Sequence, residues 1–162
     1  MSLRLARSRA LVAPLFLLLG CGSPSPGLVL EGALAGDDVC DAAAGEPFLI
    51  GLGFVTARDQ PVTLKRATYT TDGNAAYSVF VTAGSVGGGP ESAFPDTPHL
   101  PLEGARLEAH DTRGLELVLR ASLIRAGRTE LTKGRLTYHD GSGDHTVPLA
   151  SHISLNTPRS CP

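Results

Sequence analysis

Leu115-Glu116-Leu117-Val118-Leu119-Arg120-Ala121-Ser122-Leu123 decides how this chain is read. Leu115, Leu117, Leu119, Ala121 and Leu123 alternate with Glu116, Val118, Arg120 and Ser122. A period of two sustained this long is the pattern of a strand with one buried face and one exposed face. Wound as a helix, the same residues would scatter apolar groups around the cylinder. Downstream, Ala126-Gly127-Arg128 turns the chain, and Glu130 to His139 reads as the next strand, with Leu131, Leu136 and Tyr138 inward. Asp140-Gly141-Ser142-Gly143-Asp144 has the composition of a hairpin loop. His145 to Leu155 closes the sheet, with Val147, Leu149, Ile153 and Leu155 apolar. Pro148 favours an edge or a bulge, because it has no N–H to give a ladder.

Upstream the same signals recur. Residues 28 to 36 are a short apolar lead-in. Phe48, Ile50, Leu52 and Phe54 fall in step. Val62 and Leu64, then Ala67 and Tyr69, point inward if a bulge intervenes. Asp72-Gly73-Asn74 is turn chemistry, and Tyr77 to Thr82 is a further apolar run. Residues 83 to 101 form a Gly/Pro loop, long for a compact domain. Its Phe94, Pro95, Pro98 and Leu100 read as cover for the end of the fold. About seven strands at frequent intervals imply an all-β, immunoglobulin-like two-sheet sandwich spanning residues 37–162. There is no Trp, and the cysteine spacing does not fit the inter-sheet bridge of antibody domains, so the likeness is one of architecture.

The first 20 residues read as an address rather than as fold. Arg4, Arg7 and Arg9 precede an apolar run from Ala10 to Leu19. That run has the length of a secretory signal and falls short of a bilayer span. It leads into Leu18-Leu19-Gly20-Cys21, which resembles the lipobox of bacterial lipoproteins. The resemblance implies that the Cys21 thiol takes a diacylglyceryl group and that cleavage before it removes residues 1–20. Two acyl chains of the palmitate kind anchor stably where one does not. Residues 21–36, with Ser23-Pro24-Ser25-Pro26-Gly27, then read as a flexible tether. The mature chain would sit on the outer side of the cell membrane, or on an outer membrane. In the C-terminal half, Leu136-Thr137-Tyr138-His139-Asp140-Gly141 and the strands around it resemble small actinobacterial lipoproteins of uncharacterised function. That second resemblance implies fold and location, not activity.

Removing the signal leaves 11 Lys and Arg against 16 acids, a charge of −5. This excludes a basic nucleic-acid binder. With Cys21 acylated, Cys40 and Cys161 remain, and two cysteines in an exported chain make one disulfide. It would close a loop of about 120 residues, worth roughly 4–5 kcal/mol by chain entropy.

Strong catalytic motifs are missing: no Gly-x-Ser-x-Gly, no His-Glu-x-x-His and no phosphate-binding Gly-Lys-Ser/Thr. The reading is therefore a lipid-anchored extracytoplasmic module without a cofactor, which binds or scaffolds, with an envelope protein as partner. Two other classes stand beside it. His139 and His145, brought together across a hairpin with Asp140 or Asp144, would suit zinc or copper(II). Asp140, Ser142 and Asp144 supply too few carboxylates for calcium. Ser142 and His145 would serve an envelope hydrolase if some further group oriented them.

Overall fold

The computed structural model describes residues 27–32, 37–39, 43–86, 88–149 and 152–157. Its strands are β1 (Leu28–Glu31), β2 (Asp37–Val39), β3 (Phe48–Ala57), β4 (Val62–Thr71), β5 (Ala75–Thr82), β6 (Gly88–Pro90), β7 (Leu100–Pro101), β8 (Arg106–Leu107), β9 (Leu115–Leu123), β10 (Arg128–Asp140), β11 (Gly143–Pro148) and β12 (His152–Asn156). Among the described residues a single 3-10 turn, at Glu91–Ala93, interrupts them. The fold is the expected all-β sandwich. One sheet runs β1-β3-β9-β5-β7, with β6 also on β3; the other runs β2-β12-β10-β4-β8, with β11 also on β10. Seven of these strands have five residues or more. The others, of two to four residues, are too short for a period to show in the sequence.

The core lies between the sheets. Leu117, Leu119, Ala121 and Leu123 of β9 face Leu131, Leu136 and Tyr138 of β10, with Leu64, Ile153 and Leu155 beside them. The inner half of the β9 reading holds, but Glu116 and Val118 are buried as well. The reason is the 83–101 segment. It leaves β5, crosses the outer face of its own sheet to pair β6 with β3, and returns to pair β7 with β5. Val86 and Phe94 on this strap join Leu49, Phe80 and Val118 in a second apolar cluster. The segment thus covers a sheet face, not the end of the sandwich. Phe94 is half-buried, whereas Pro95, Pro98 and Leu100 remain exposed.

Three other expectations are corrected. Phe54 is not in the core, because the β3–β9 register shifts between Gly51 and Gly53 and transfers the inward positions to Val55 and Ala57. His145 to Leu155 is not one strand but two, β11 and β12, which take the same side of β10 at its two ends. Leu28–Glu31, read as tether and lead-in, is a strand on β3 with Leu28 buried. The parity change expected in β4 is present, as a register shift opposite Thr137 and Tyr138. Cys21, Cys40 and Cys161, with the signal segment, lie outside the described residues.

Candidate functional site

The densest polar cluster sits at the β10–β11 turn. Asp140 pairs with Gly143 in the ladder, which leaves Gly141 and Ser142 as the two turn residues. The Asp140 side chain is buried, and its Oδ1 accepts three hydrogen bonds: from the Ser142 N–H at 2.8 Å, from the Ser142 hydroxyl at 2.7 Å and from His145 Nε2 at 3.1 Å. The first two are the local bonds of an Asx-type turn, which is why Asp opens it. These bonds, the Ser142 hydroxyl's foremost, hold the Asp140 carboxyl down to about 2. His145 is fixed from its other side by stacking on Tyr138, with ring centroids 5.3 Å apart and 29° between planes.

The register separates the two histidines. His139 pairs with Asp144, and Tyr138 with His145, so adjacent pairs point to opposite faces. His139 Nδ1 meets Asp144 Oδ1 at 2.7 Å on the exposed face, where Lys65 also reaches Asp144 at 2.9 Å. Lys65 first, then His139, lowers the Asp144 carboxyl. The four residues expected to converge on a metal thus divide into His139 with Asp144 and His145 with Asp140. Among the described residues no group of three or more His, Cys, Asp or Glu side chains is placed to hold an ion. The sequence reading put the two imidazoles together because it counted residues across the loop. The ladder sets same-face partners by register instead.

Ser142 and His145 do come together, at 2.9 Å, and Asp140 is the group that holds them. The arrangement differs from a nucleophile relay. A relay uses one ring nitrogen toward the serine and the other toward the acid. Here the same Nε2 faces both. The one hydroxyl proton of Ser142 goes to the ionised Asp140, the stronger acceptor. Nε2 must then carry a proton to bond either oxygen, and it has no lone pair there to accept one from Ser142. The cluster works as a clamp on the turn.

That clamp is packed against the start of the fold. The Arg58 N–H donates to the Gly27 carbonyl at 2.8 Å. A Cβ on Gly27 would stand 3.0 Å from Asp140 Oδ2, and one on Gly141 would stand 2.9 Å from Gln60 Oε1. Gly27, the 58–61 loop and the hairpin turn therefore meet closely, and a larger residue at position 141 would first displace the end of the Gln60 side chain.

One buried acid escaped the sequence reading. Glu116, on the strap side of β9, accepts the Val86 N–H at Oε2. Its other oxygen lies over Gly51, where a Cβ would come within 2.6 Å. Burial raises this carboxyl above the usual range, against the pull of the Val86 N–H. Beyond it, Arg120 clasps Glu91 with contacts of 2.9 and 3.0 Å and ties the returning limb of the strap to β9. An open cleft of about 590 Å³ lies between Thr82–Val86 and Ala93–Pro98. In the sequence, only Gly51 and Glu116, both at outward positions of their strands, hinted at this arrangement.

The chain matches no protein-family model and no curated protein. Among the described residues no helix is long and apolar enough to cross a membrane.

Proposed function

We propose that this protein is a lipid-anchored β-sandwich of the cell envelope that acts by binding rather than by chemistry. The observation that carries the reading is the Leu18-Leu19-Gly20-Cys21 motif after a basic and apolar leader. Supporting the reading, the first described strand, Leu28–Glu31, pairs with β3 only seven residues after Cys21. Supporting a role without chemistry, the Ser142–His145–Asp140 cluster has its serine proton committed to the acid. A disulfide between Cys40 and Cys161 would suit the same compartment. Among the described residues, Val39 pairs with Leu155 in the parallel β2–β12 ladder.

The test is metabolic labelling with an alkyne fatty acid in a bacterial host, comparing the native chain with Cys21→Ser. Label and membrane fractionation are expected for the first and lost in the second. Unlabelled native chain, or membrane association that survives Cys21→Ser, would overturn the anchor. Crosslinking of the anchored protein in cells should then trap an envelope protein.

A further inference from the structure

We propose that the sandwich stands on the membrane by one defined end, formed by Gly27, the 58–61 loop, the 108–114 loop and the Asp140–Gly143 turn, and that this end abuts the phospholipid headgroup layer. The inference rests on the lipid reading of Cys21 and adds an orientation to it.

The long strands β3, β4, β5, β9 and β10 run between two ends. Leu28 pairs with Ala57 at the last residue of β3, so the chain joins the sheet at that end. Val62 begins β4 there, Leu115 begins β9 opposite Val55, and Asp140 ends β10. The His110 N–H to Ala57 carbonyl bond, 3.1 Å, brings the 108–114 loop alongside. The other end holds Asp72–Asn74 and the Ile124–Gly127 turn, joined by the Ile124 N–H to Asn74 carbonyl bond at 2.9 Å. From Cys21 to Gly27 is six residues, which span at most about 20 Å fully extended. Nine residues of β9 separate the two ends by roughly 30 Å. The tether therefore holds the Gly27 end close to the headgroups and leaves the Ile124 end beyond its reach in an upright molecule.

Charge does not supply the contact. Three of the cations at this end are already paired: Arg106 with Glu108 at 2.7 Å, Arg113 with Asp111 at 3.4 Å and Lys65 with Asp144 at 2.9 Å. Asp59 and Asp140 offset Arg58. An end so balanced gains little from anionic lipid, so the apposition is set by tether length and should be insensitive to salt.

The chain has no Trp, which makes a clean test possible. Single donors are introduced at exposed sites as Asp59→Trp and Ile124→Trp in the full lipidated chain. Each variant is reconstituted in phosphatidylcholine vesicles carrying a dansyl-headgroup lipid. Energy transfer is expected to be several-fold stronger from position 59 than from position 124, and the ratio should hold between low and high salt. Equal transfer from both sites, or stronger transfer from position 124, would overturn the orientation while co-flotation of the protein with vesicles still upheld the anchor. Failure to float, or flotation equally strong in Cys21→Ser, would overturn the lipid reading itself and the orientation with it.

Discussion

The Tyr77 hydroxyl serves the backbone of Tyr69 as a neighbouring strand would. It donates to the Tyr69 carbonyl at 2.8 Å and accepts from the Tyr69 N–H at 2.9 Å. Tyr69 lies on β4 opposite the bulge at Lys133 and Gly134 of β10, and β8 covers only Val62 and Thr63 on the other edge. The two rings meet edge to face, 5.9 Å apart. One side chain from the facing sheet thus satisfies a donor and an acceptor on an edge that has run out of partners.

The two tyrosines should respond oppositely to loss of the hydroxyl. Tyr77→Phe strands a backbone N–H and a carbonyl and should cost about 1–3 kcal/mol. Tyr69→Phe removes a buried hydroxyl that finds no partner among the described residues, and should be neutral or stabilising. Thermal melts of both variants decide the matter. A larger loss in Tyr69→Phe would reverse the assignment.

Stability on the acid side should carry the mark of Asp140. An unfolded Asp titrates near 3.9, whereas the turn holds Asp140 at about 2. Between those values the unfolded chain binds the extra proton. The contribution of Asp140 is therefore full above about pH 4 and is lost as the pH falls toward 2. Asp140→Asn should melt lower than native at neutral pH, and the difference should shrink below about pH 4. A gap that stays constant down to pH 2 would show that shape, not charge, matters at this position.

Glu116 should behave in the opposite sense. Its folded carboxyl is raised by burial. The fold then gains most from Glu116 below the ordinary Glu value of about 4.3, and that gain is lost as the pH rises through the raised value. Glu116→Gln keeps an acceptor oxygen for the Val86 N–H and removes the charge. It should melt higher than native at pH 7, with the gap closing in acid. A variant that melts lower at neutral pH would mean that the carboxylate is held by more than one N–H.

Zinc or copper(II) should leave the melting temperature of the domain unmoved, because His139 and His145 point to opposite faces of the β10–β11 ladder. A ligand of the native state raises the melting temperature by mass action. A rise abolished by combining His139→Ala with His145→Ala would show that the hairpin can reorganise around an ion.

Reduction tests the proposed bridge between Cys40 and Cys161. A bridge closing so long a loop is worth several kcal/mol, so dithiothreitol is expected to lower the melting temperature by more than about 10 °C. Mass spectrometry of the non-reduced protein gives an independent reading. Free thiols at both positions would remove the bridge from the account.

How far the sequence carries can be seen position by position. Leu117 to Leu123 show their inward set because both β9 and its neighbours are long and the pleat alternates strictly. Phe54 misleads because a shift at Gly53 reverses the parity of the last third of β3. Glu116 and Val118 mislead for another reason: what buries them is a strap some thirty residues earlier in the chain, with no period of its own. In the hairpin, the residue types Asp, Ser and His were visible, but which pairs share a face follows from a two-residue turn that composition alone does not fix.

The ladder also bears on how such a chain reaches its compartment. β3 waits for β9, with Phe48 opposite Ala121, and β2 waits for β12, with Asp37 opposite Ile153. Pairings so distant in sequence form slowly, since the loop must close before any contact rewards it. Among the described strands of the N-terminal half, the four-residue β1–β3 ladder is the pairing that can form early. A newly made chain therefore lacks most of its ladders until its last strands exist, and under the proposed export a translocation channel that admits only unfolded polypeptide would receive one that has not yet had the means to fold.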